Sequence, residues 1–383
     1  MTQRLYEEDA YCRRFTGTVL RCTPVGERFA VVLDRTAFFP EGGGQAADTG
    51  TLDGVAVTDV QSDGDTVIHQ TASPLPVGQT VSGEIDWQQR FGRMQNHTGE
   101  HIVSGLIHRE YGLDNAGFHL GSEDVTLDVS GELTRPQLDH IEDLANAAVA
   151  ADLPVTAAYP SAKELETLAY RSKKALSGPV RIVTVAGIDA CACCAPHVSS
   201  TGQIGVIKLL DAIRYKGGMR IHLHCGRDAL LDYRMRYQQT AATAAMLSVK
   251  HTEVADAVAR LLEQKDQLSR QLRQERRRWA LAQAQAVSPT GRPVCLILEP
   301  LESDVVRELA TVLTARCGGL CAVFAGADGQ GYQYAAAGGE NLPALGARLK
   351  QELGGGGGGS AQMIQGRVTA DAAAIRDFFD AIS

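Results

Sequence analysis

Two short motifs that lie far apart in the chain, H-x-x-x-H and C-x-x-x-H, place the strongest constraint on the fold. The first provides His97 and His101, and the second provides Cys193 and His197. Residues at positions i and i+4 of a helix project from one face, so the first pair can act together if its segment is helical. Three imidazole nitrogens and one thiolate suit a tetrahedral zinc ion better than Mg²⁺ or Ca²⁺. A fold that uses both motifs for one ion must bring these two segments into contact.

The residues by themselves leave other readings of these motifs open. Cys191 and Cys194 compete with Cys193 as thiol ligands, although only Cys193 stands four residues before His197. The ion could also be purely structural and tie two segments together. HTGEH further matches the inverted zinc-peptidase pattern H-x-x-E-H, in which Glu100 would be the general base. The peptidase is the least favoured reading, because a thiolate ligand would reduce the Lewis acidity of its zinc.

The composition indicates a globular protein and argues against several classes. Apolar residues make up 44% of the 383 residues, and no apolar run is long enough to cross a membrane. The charged amino terminus, MTQRLYEEDAYCRR, lacks the apolar centre of a secretory signal. Nine cysteines are an odd and clustered set, which favours thiols in a reducing cytoplasm over a disulfide framework.

The net charge of −8 argues against non-specific coating of nucleic acid, but it does not exclude a local RNA-binding patch. One basic run lies on a single predicted helix and could equally be a solvated face; it consists of Arg270, Arg273, Arg276, Arg277 and Arg278.

The order of patterns along the chain predicts an α+β fold in four parts. Short β-rich segments come first, with a helix expected from Arg90 to about Tyr111. Leu247, Val254, Leu261 and Leu268 later repeat every seven residues, which is typical of a coiled coil or helical hairpin. We therefore expect a small β-barrel or sandwich with a glycine-rich motif at 1–86, an α+β zinc-binding core at 87–227, a helical coiled-coil arm at 228–287 and a small α/β domain at 288–383.

Taken together, these motifs resemble the AlaX family and the editing domain of alanyl-tRNA synthetase. FFPEGGGQAADTG is similar to the family's glycine-rich motif, RFGRMQNHTGEHIVSG to its H-x-x-x-H helix, and GFHLGSEDVTLDV to the strand region that follows. CCAPHVSSTGQIGVIKLL is similar to its C-x-x-x-H segment. The tail, with GGGGGGSAQMIQG, resembles the C-terminal domain of the synthetase and of the long form of AlaX.

The resemblance implies an activity and a site. One Zn²⁺ per chain would bind His97, His101, Cys193 and His197. The nucleophile would be a zinc-positioned water, and the catalytic side chain stays open, with Glu100 as a candidate base. The substrate would be tRNA(Ala) mischarged with serine, or with glycine, because a synthetase pocket discriminates poorly against these two amino acids and a second site must remove them. The substrate-binding residues would be Thr98, against the amino-acid side chain, together with Gly43, Gly44 and Gln45.

Further expectations follow from the same resemblance. No aminoacylation domain precedes the glycine-rich motif, so we expect editing in trans, with homodimerisation and tRNA contacts through the C-terminal region. The family's usual cysteine segment is C-G-G-T-H, whereas here Cys194, Ala195 and Pro196 stand between Cys193 and His197. That difference keeps an alternative open, in which the chain is an RNA-binding or assembly protein with a structural zinc and a decayed site.

Overall fold

The computed structural model describes residues 1–121, 125–172 and 179–382. They divide into two compact units, one from Met1 to Ala242 and one that begins at Thr243. Within these described residues, no helix combines the length and the apolar character that a bilayer crossing requires. The structure is a mixture of helices and several separate sheets, as the α+β prediction states. The four-part division of the chain stays a prediction.

The elements of the first unit follow one another along the chain. They are β1 (Gln3–Arg4), α1 (Leu5–Glu8), β2 (Arg14–Val25), β3 (Arg28–Leu33), β4 (Arg35–Thr36), β5 (Gly50–Leu52), β6 (Val55–Asp63), β7 (Thr66–Thr71), β8 (Thr80–Ile85), α2 (Trp87–Tyr111), β9 (Asn115–Leu120), β10 (Val125–Val129), α3 (Arg135–Ala150), β11 (Val155–Ala158), α4 (Ala162–Leu165), β12 (Ile182–Val185), β13 (Asp189–Ala192), β14 (Ile207–Tyr215), β15 (Gly218–Cys225) and α5 (Arg227–Leu247).

Six antiparallel strands near the amino terminus pair in a closed ring, in the order β2-β3-β7-β6-β5-β8 and back to β2. Side chains alternate between buried and less buried along β7 and β8, as expected when one face of a strand meets a core. The interior is apolar and includes Val31, Leu33, Leu52, Val60 and Val67. The last strand of the ring, β8, ends at Ile85.

Helix α2 lies at the centre of the first unit. It begins at Trp87, three residues earlier than expected, because the Asp86 side chain accepts a hydrogen bond from the Gln89 amide and caps the first turn. It ends at Gly112, which adopts the left-handed conformation typical of a C-terminal cap. Every residue from Met94 to Ile107 is buried.

Two small sheets and α3 enclose this helix. Strands β14, β15, β10 and β9 form one antiparallel sheet in that order, and β11, β12 and β13 form the other. Ile102, Val103 and Leu106 of α2 share a core with Leu127 of β10 and Ile221 of β15. The H-x-x-x-H helix is therefore held between the sheet that carries the β9–β10 hairpin and the sheet that leads into the C-x-x-x-H segment.

The second unit contains the long helix α6 and a five-stranded sheet flanked by helices. Its elements are α6 (Val254–Ala286), β16 (Val294–Leu298), α7 (Ser303–Cys317), β17 (Cys321–Ala327), β18 (Gly331–Ala337), α8 (Leu342–Glu352), β19 (Gly355–Gly359), β20 (Met363–Val368) and α9 (Ala372–Asp380). The strand order is β16-β17-β18-β20-β19, with only β16 and β17 parallel.

The glycine run near the carboxyl terminus forms a β-strand. Gly355–Gly359 pairs with β20 as an edge strand. A Cβ at Gly357 would lie 2.6 Å from the Tyr334 hydroxyl, so the strand approaches its neighbour more closely than a side chain would allow. A composition-based interpretation misses such a strand, because it has no side chains to alternate.

Candidate metal centre

The structure brings both motif pairs to one point. The side-chain donor atoms of His97, His101, Cys193 and His197 all lie within 4.8 Å of one another. The Cys193 Sγ atom is 3.3 Å from His197 Nε2 and 3.5 Å from His97 Nε2. The three imidazoles are buried, and Cys193 is partly buried.

These spacings fit a zinc ion. A tetrahedral ion about 2.0–2.1 Å from each nitrogen and about 2.3 Å from sulfur would hold nitrogen and sulfur roughly 3.6 Å apart. The two measured sulfur–nitrogen distances lie close to that value. The residues present therefore match the donor set and the size that Zn²⁺ requires.

Close packing between α2 and β13 produces this convergence. Gly105 faces β13, and a Cβ there would lie 2.8 Å from the Cβ of Asp189. The absence of a side chain at Gly105 lets β13 approach the helix, so the chain that leaves this strand reaches His97 and His101 with Cys193.

Each imidazole is oriented by a further side chain. In every case Nδ1 is occupied by a hydrogen-bond partner, which leaves Nε2 to face the centre of the cluster and fixes the orientation of the ring. The pairs are His97 with Gln45 (2.8 Å), His101 with Asp189 (3.1 Å) and His197 with Thr98 (3.0 Å).

The Asp189 carboxylate belongs to a wider network that the sequence does not reveal. Arg171 donates to both of its oxygens, from Nε at 2.7 Å and from Nη2 at 2.9 Å, and Nη2 also donates to the Ser104 hydroxyl. Burial by itself would raise the pKa of Asp189, but the hydrogen bonds from His101 and Arg171 hold that pKa below its usual value. Asp189 thus presents a negative charge to His101.

The electrostatics of the cluster favour a thiolate. Burial by itself would raise the pKa of the Cys193 thiol, but the neighbouring His97 imidazole and a hydrogen bond from His101 hold it well below its usual value. Burial lowers the pKa of His197 to about 3, so this imidazole stays neutral. A thiolate and a neutral imidazole are the forms that bind metal.

The glycine-rich motif forms a tight turn beside the cluster. The amides of Gly42 and Gln45 each donate to the other's carbonyl, and Leu120 donates to the carbonyl of Gly44. Gly44 has a φ of +84°, and a Cβ there would lie 2.5 Å from the Phe118 carbonyl, so only glycine fits. Among the described residues, the amides of Gly43 and Gly44 have no hydrogen-bond acceptor.

The Gln45 side chain reaches from this turn into the cluster. It is almost fully buried, and while its Oε1 atom faces His97, its Nε2 atom has no partner in the described part of the chain. A buried amide nitrogen without an acceptor is costly, so this atom points to an acceptor that a ligand would supply.

The remaining candidates lie around the cluster in different ways. The Thr98 hydroxyl contacts His197 and accepts a hydrogen bond from the Val198 amide, so it orients the imidazole of a candidate metal ligand. Glu100 is buried on another side of α2, where it accepts a hydrogen bond from Asn115. Cys191 is close enough to His101 and Asp189 to form a second potential donor group, whereas Cys194 is exposed near Gly43.

Two family models match parts of the chain. Residues 16–89 match the class II (A) tRNA synthetases, and residues 180–222 match the second additional domain of threonyl and alanyl tRNA synthetases. The second match includes Asp189 and the C-x-x-x-H segment.

Curated proteins similar to this chain are consistent with the family models. The chain is 33% identical to the alanine–tRNA ligase of Pyrobaculum neutrophilum over 396 aligned positions, which cover 98% of the chain and 44% of the ligase. It is 34% identical to the alanyl-tRNA editing protein Aarsd1 of Mus musculus over 55% of the chain and 56% of that protein. It is 32% identical to the alanyl-tRNA editing protein AlaX-L of Pyrococcus horikoshii over 60% and 59% of the two lengths. The chain is thus similar both to an alanine–tRNA ligase and to alanyl-tRNA editing proteins.

The chain spans about half the length of these curated relatives. The likeness to the ligase extends over both units, whereas the likeness to the two editing proteins covers little more than half of the chain. The metal cluster lies in the first unit. Cys193 and His197 fall within the residues that match the second family model, whereas His97 and His101 lie outside them.

Proposed function

We propose that the chain is a hydrolase that deacylates alanine tRNA mischarged with serine, and also with glycine, and that this activity depends on zinc. The single observation that carries the proposal is the buried cluster of three oriented imidazoles and one thiolate beside the glycine turn. The editing proteins among the relatives support the reaction class.

The ion would be held by His97, His101, Cys193 and His197, and zinc bound there would supply a Lewis acid that orients the aminoacyl group. The chain's own groups do the rest. The unpartnered Nε2 of Gln45 and the amides of Gly43 and Gly44 are donors for oxygens of the substrate, and a water molecule attacks the ester.

The same geometry suggests how serine is preferred over alanine. With His197 Nδ1 and the Val198 amide both donating to Thr98 Oγ1, the hydroxyl proton of Thr98 is still available. A serine hydroxyl could accept that proton, whereas the methyl group of alanine could not. Correctly charged alanine tRNA would therefore bind less productively.

The second candidate function is an RNA-binding or assembly protein whose zinc is structural. It is favoured by the donor count, because four protein ligands complete a tetrahedron and leave no open position for water. Cys194 adds to this alternative, since it introduces a side chain near Gly43 where the usual family segment has glycine.

Deacylation assays separate the two functions. Zinc-loaded wild type is mixed with serine-, glycine- and alanine-charged alanine tRNA, beside His97→Ala and Cys193→Ala. His108→Ala is the matched control, because His108 lies on the same helix with its side chain about half exposed. We expect fast loss of serine with wild type and the control only; an intact serine ester with zinc-loaded wild type contradicts the proposal.

We further propose that the chain is cytoplasmic and forms a homodimer through its second unit, where it also contacts tRNA. All nine cysteines are free thiols, which supports a reducing compartment. The predicted heptad positions Leu261 and Leu268 lie on α6 with more than half of their surface exposed, which supports a helix-to-helix interface.

A further inference from the structure

A polar groove runs along the first turns of α2 in the first unit. Its cavity volume is about 290 Å³, close to the lower limit of small-ligand sites at about 300 Å³. Gln88, Arg93 and Asn96 of α2 line one side, and Arg227 and Asp228 of α5 line another.

The groove lies close to the metal centre along α2, because its lining residue Asn96 immediately precedes His97. Arg93 precedes His97 by one helical turn, so the two residues share a face and are roughly 6 Å apart along the axis. Arg93 also donates to the carbonyl of Ala47, two residues after Gln45. Its Nη1 atom also lies 3.9 Å from Asp48 Oδ1. A molecule in the groove would lie beside the segment of α2 that carries His97.

The acidic side chains of the groove already have partners on α2. Asp86 caps the helix at the Gln89 amide, and Asp228 accepts from Asn96 at 2.6 Å. Arg227, in contrast, lies against the neutral amide of Gln88, 2.5 to 2.8 Å from its guanidinium nitrogens. Among the described residues, Arg227 is thus the arginine of the groove without a carboxylate partner.

The exposed face of α5 continues this surface away from the groove. At 100° per residue, Arg227, Leu230, Tyr233, Arg234 and Tyr237 fall on one face of the helix. Their side chains are all exposed, and the rings of Tyr233 and Tyr237 stack with their centroids 6.3 Å apart. Across the part of the chain that the structure describes, no carboxylate pairs with either arginine of this face.

The acidic residues of the same helix segment lie elsewhere. Asp232 pairs with Arg236, and both fall on the side of α5 that faces away from Arg227. The arginine–tyrosine face, defined as Arg227, Leu230, Tyr233, Arg234 and Tyr237, is therefore positive and aromatic without an interleaved acid. Guanidinium groups with stacked aromatic rings are the combination that binds phosphates and unpaired bases.

We propose that the groove and the arginine–tyrosine face bind the single-stranded 3′ end of the RNA substrate. The terminal nucleotide lies in the groove with its phosphate toward Arg227, and its ester extends toward His97. The preceding unpaired nucleotides follow α5, where their bases stack on Tyr233 and Tyr237 and a phosphate meets Arg234. This inference rests on the proposed function, because it assigns the path by which that substrate reaches the site.

Binding of uncharged RNA tests the surface separately from catalysis. The probes are two fluorescein-labelled acceptor-stem hairpins, one with a short unpaired 3′ overhang and one blunt, and the readout is fluorescence anisotropy with zinc-loaded full-length chain. Arg227→Gln/Arg234→Gln is compared with Arg236→Gln, a matched control that removes an arginine from the opposite side of α5.

We expect wild type and the control to bind the overhang hairpin more tightly than the blunt one. The double variant should raise the Kd for the overhang hairpin about tenfold or more. It should also reduce the slope of log Kd against log salt by about 1.4, since each lost single-strand phosphate contact removes about 0.7. Tyr233→Ala should raise the Kd about tenfold with an unchanged salt slope, because a stacking contact carries no counterion.

Three outcomes overturn the inference: equal wild-type affinity for the two hairpins, equal Kd and salt slope for the double variant and wild type, or an effect of the double variant on self-association in sedimentation with none on RNA. The last of these would make the face a protein interface. If the RNA-binding experiment fails, the deacylation assay can still support the proposed function. Conversely, overhang-specific binding by a chain that hydrolyses no mischarged tRNA would support the surface and refute the proposed function.

Discussion

Helices α2 and α6 are both recognisable from the sequence, but they have opposite environments. Along α2 even the polar residues His97, Thr98 and His101 are buried, and each has a hydrogen-bond partner. Along α6 even Leu261, Leu262, Leu268 and Leu272 are exposed, and within the described structure only Ala257, Ala280 and Ala284 of this helix are buried.

The two helices show two different burial patterns, and each pattern carries its own free-energy cost. Burying a polar group is unfavourable unless it is hydrogen-bonded. A helix with several buried, hydrogen-bonded polar residues therefore indicates a functional site. Exposing a row of leucines is equally unusual and indicates a surface that a partner covers. We expect substitutions around α2 to lower stability or zinc affinity, and substitutions on the exposed face of α6 to weaken self-association.

The largest expected effect concerns the anchor of α2. Arg90 is fully buried, donates from Nε to the Asp48 carboxylate at 2.9 Å and also reaches the carbonyl of Ala37. Asp48→Asn leaves that guanidinium charge buried without a counter-charge, so we expect the free energy of unfolding to fall by about 3–5 kcal/mol. Urea unfolding measures the change.

A matched control is Glu84→Gln, which breaks the exposed ion pair between Glu84 and Arg14. That pair should contribute less than about 1 kcal/mol. Equal losses for the two variants would contradict the view that burial sets the cost.

The next effect tests a second buried polar group, inside the ring of strands. His69 lies between the Thr36 hydroxyl and the carbonyl of Val31, and burial lowers its pKa from 6.5 to about 4. Below pH 6.5 the unfolded chain therefore binds a proton that the folded chain does not. The folded state loses stability as pH falls from about 6.5 to about 4, by up to about 3 kcal/mol.

Urea unfolding at a series of pH values checks this dependence, with His69→Gln beside wild type. The variant should lose less stability on acidification than wild type does. Parallel curves for the two chains would mean that His69 titrates normally in the folded protein.

A smaller effect is expected where α2 meets the metal. Asp189→Asn preserves the volume of the side chain but removes the charge that faces His101 and Arg171, so zinc affinity should fall about 10- to 100-fold. Competition with a chromophoric chelator measures the Kd. Asp139→Asn, which breaks an exposed pair with Arg135, should leave the Kd unchanged; an unchanged Kd for Asp189→Asn as well would make the network irrelevant to the ion.

The smallest effect on folding is expected on α6. Leu268 is 64% exposed, so Leu268→Ser should change the free energy of unfolding of the dilute chain by no more than about 0.5 kcal/mol. Leu309→Ala in the buried core of the same unit should cost about 2–5 kcal/mol. Sedimentation should show weaker self-association for Leu268→Ser only, and unaltered self-association would place the interface elsewhere.

The sequence predicts part of this site because some of its information is local. The spacing of His97 and His101 needs only a helix, and the periodicity of Met94, Ile102 and Leu106 supplies one. The partners Gln45, Asp189 and Arg171 come from segments that are brought together only by strand pairing. A single Asp or Arg in a sequence gives no pattern from which such a contact could be predicted.

The second unit shows the same limit for the fold. Apolar runs predict β16 and β17, because buried strands need side chains that pack. Gly355–Gly359 forms a strand through backbone hydrogen bonds with β20 and through close approach, neither of which leaves a periodic pattern. Heptad spacing likewise predicts the helix α6 but does not by itself identify the partner of its leucines.

The central claim is that three imidazoles and one thiolate bind a single zinc ion beside the glycine turn. X-ray absorption at the zinc edge of the full-length, zinc-loaded chain tests it most directly, since Zn–N and Zn–S shells differ by about 0.2–0.3 Å. We expect one zinc per chain with three nitrogens and one sulfur, and loss of the sulfur shell in Cys193→Ser. Two or more sulfurs, which would bring in Cys191 or Cys194, or a shell without sulfur would contradict it.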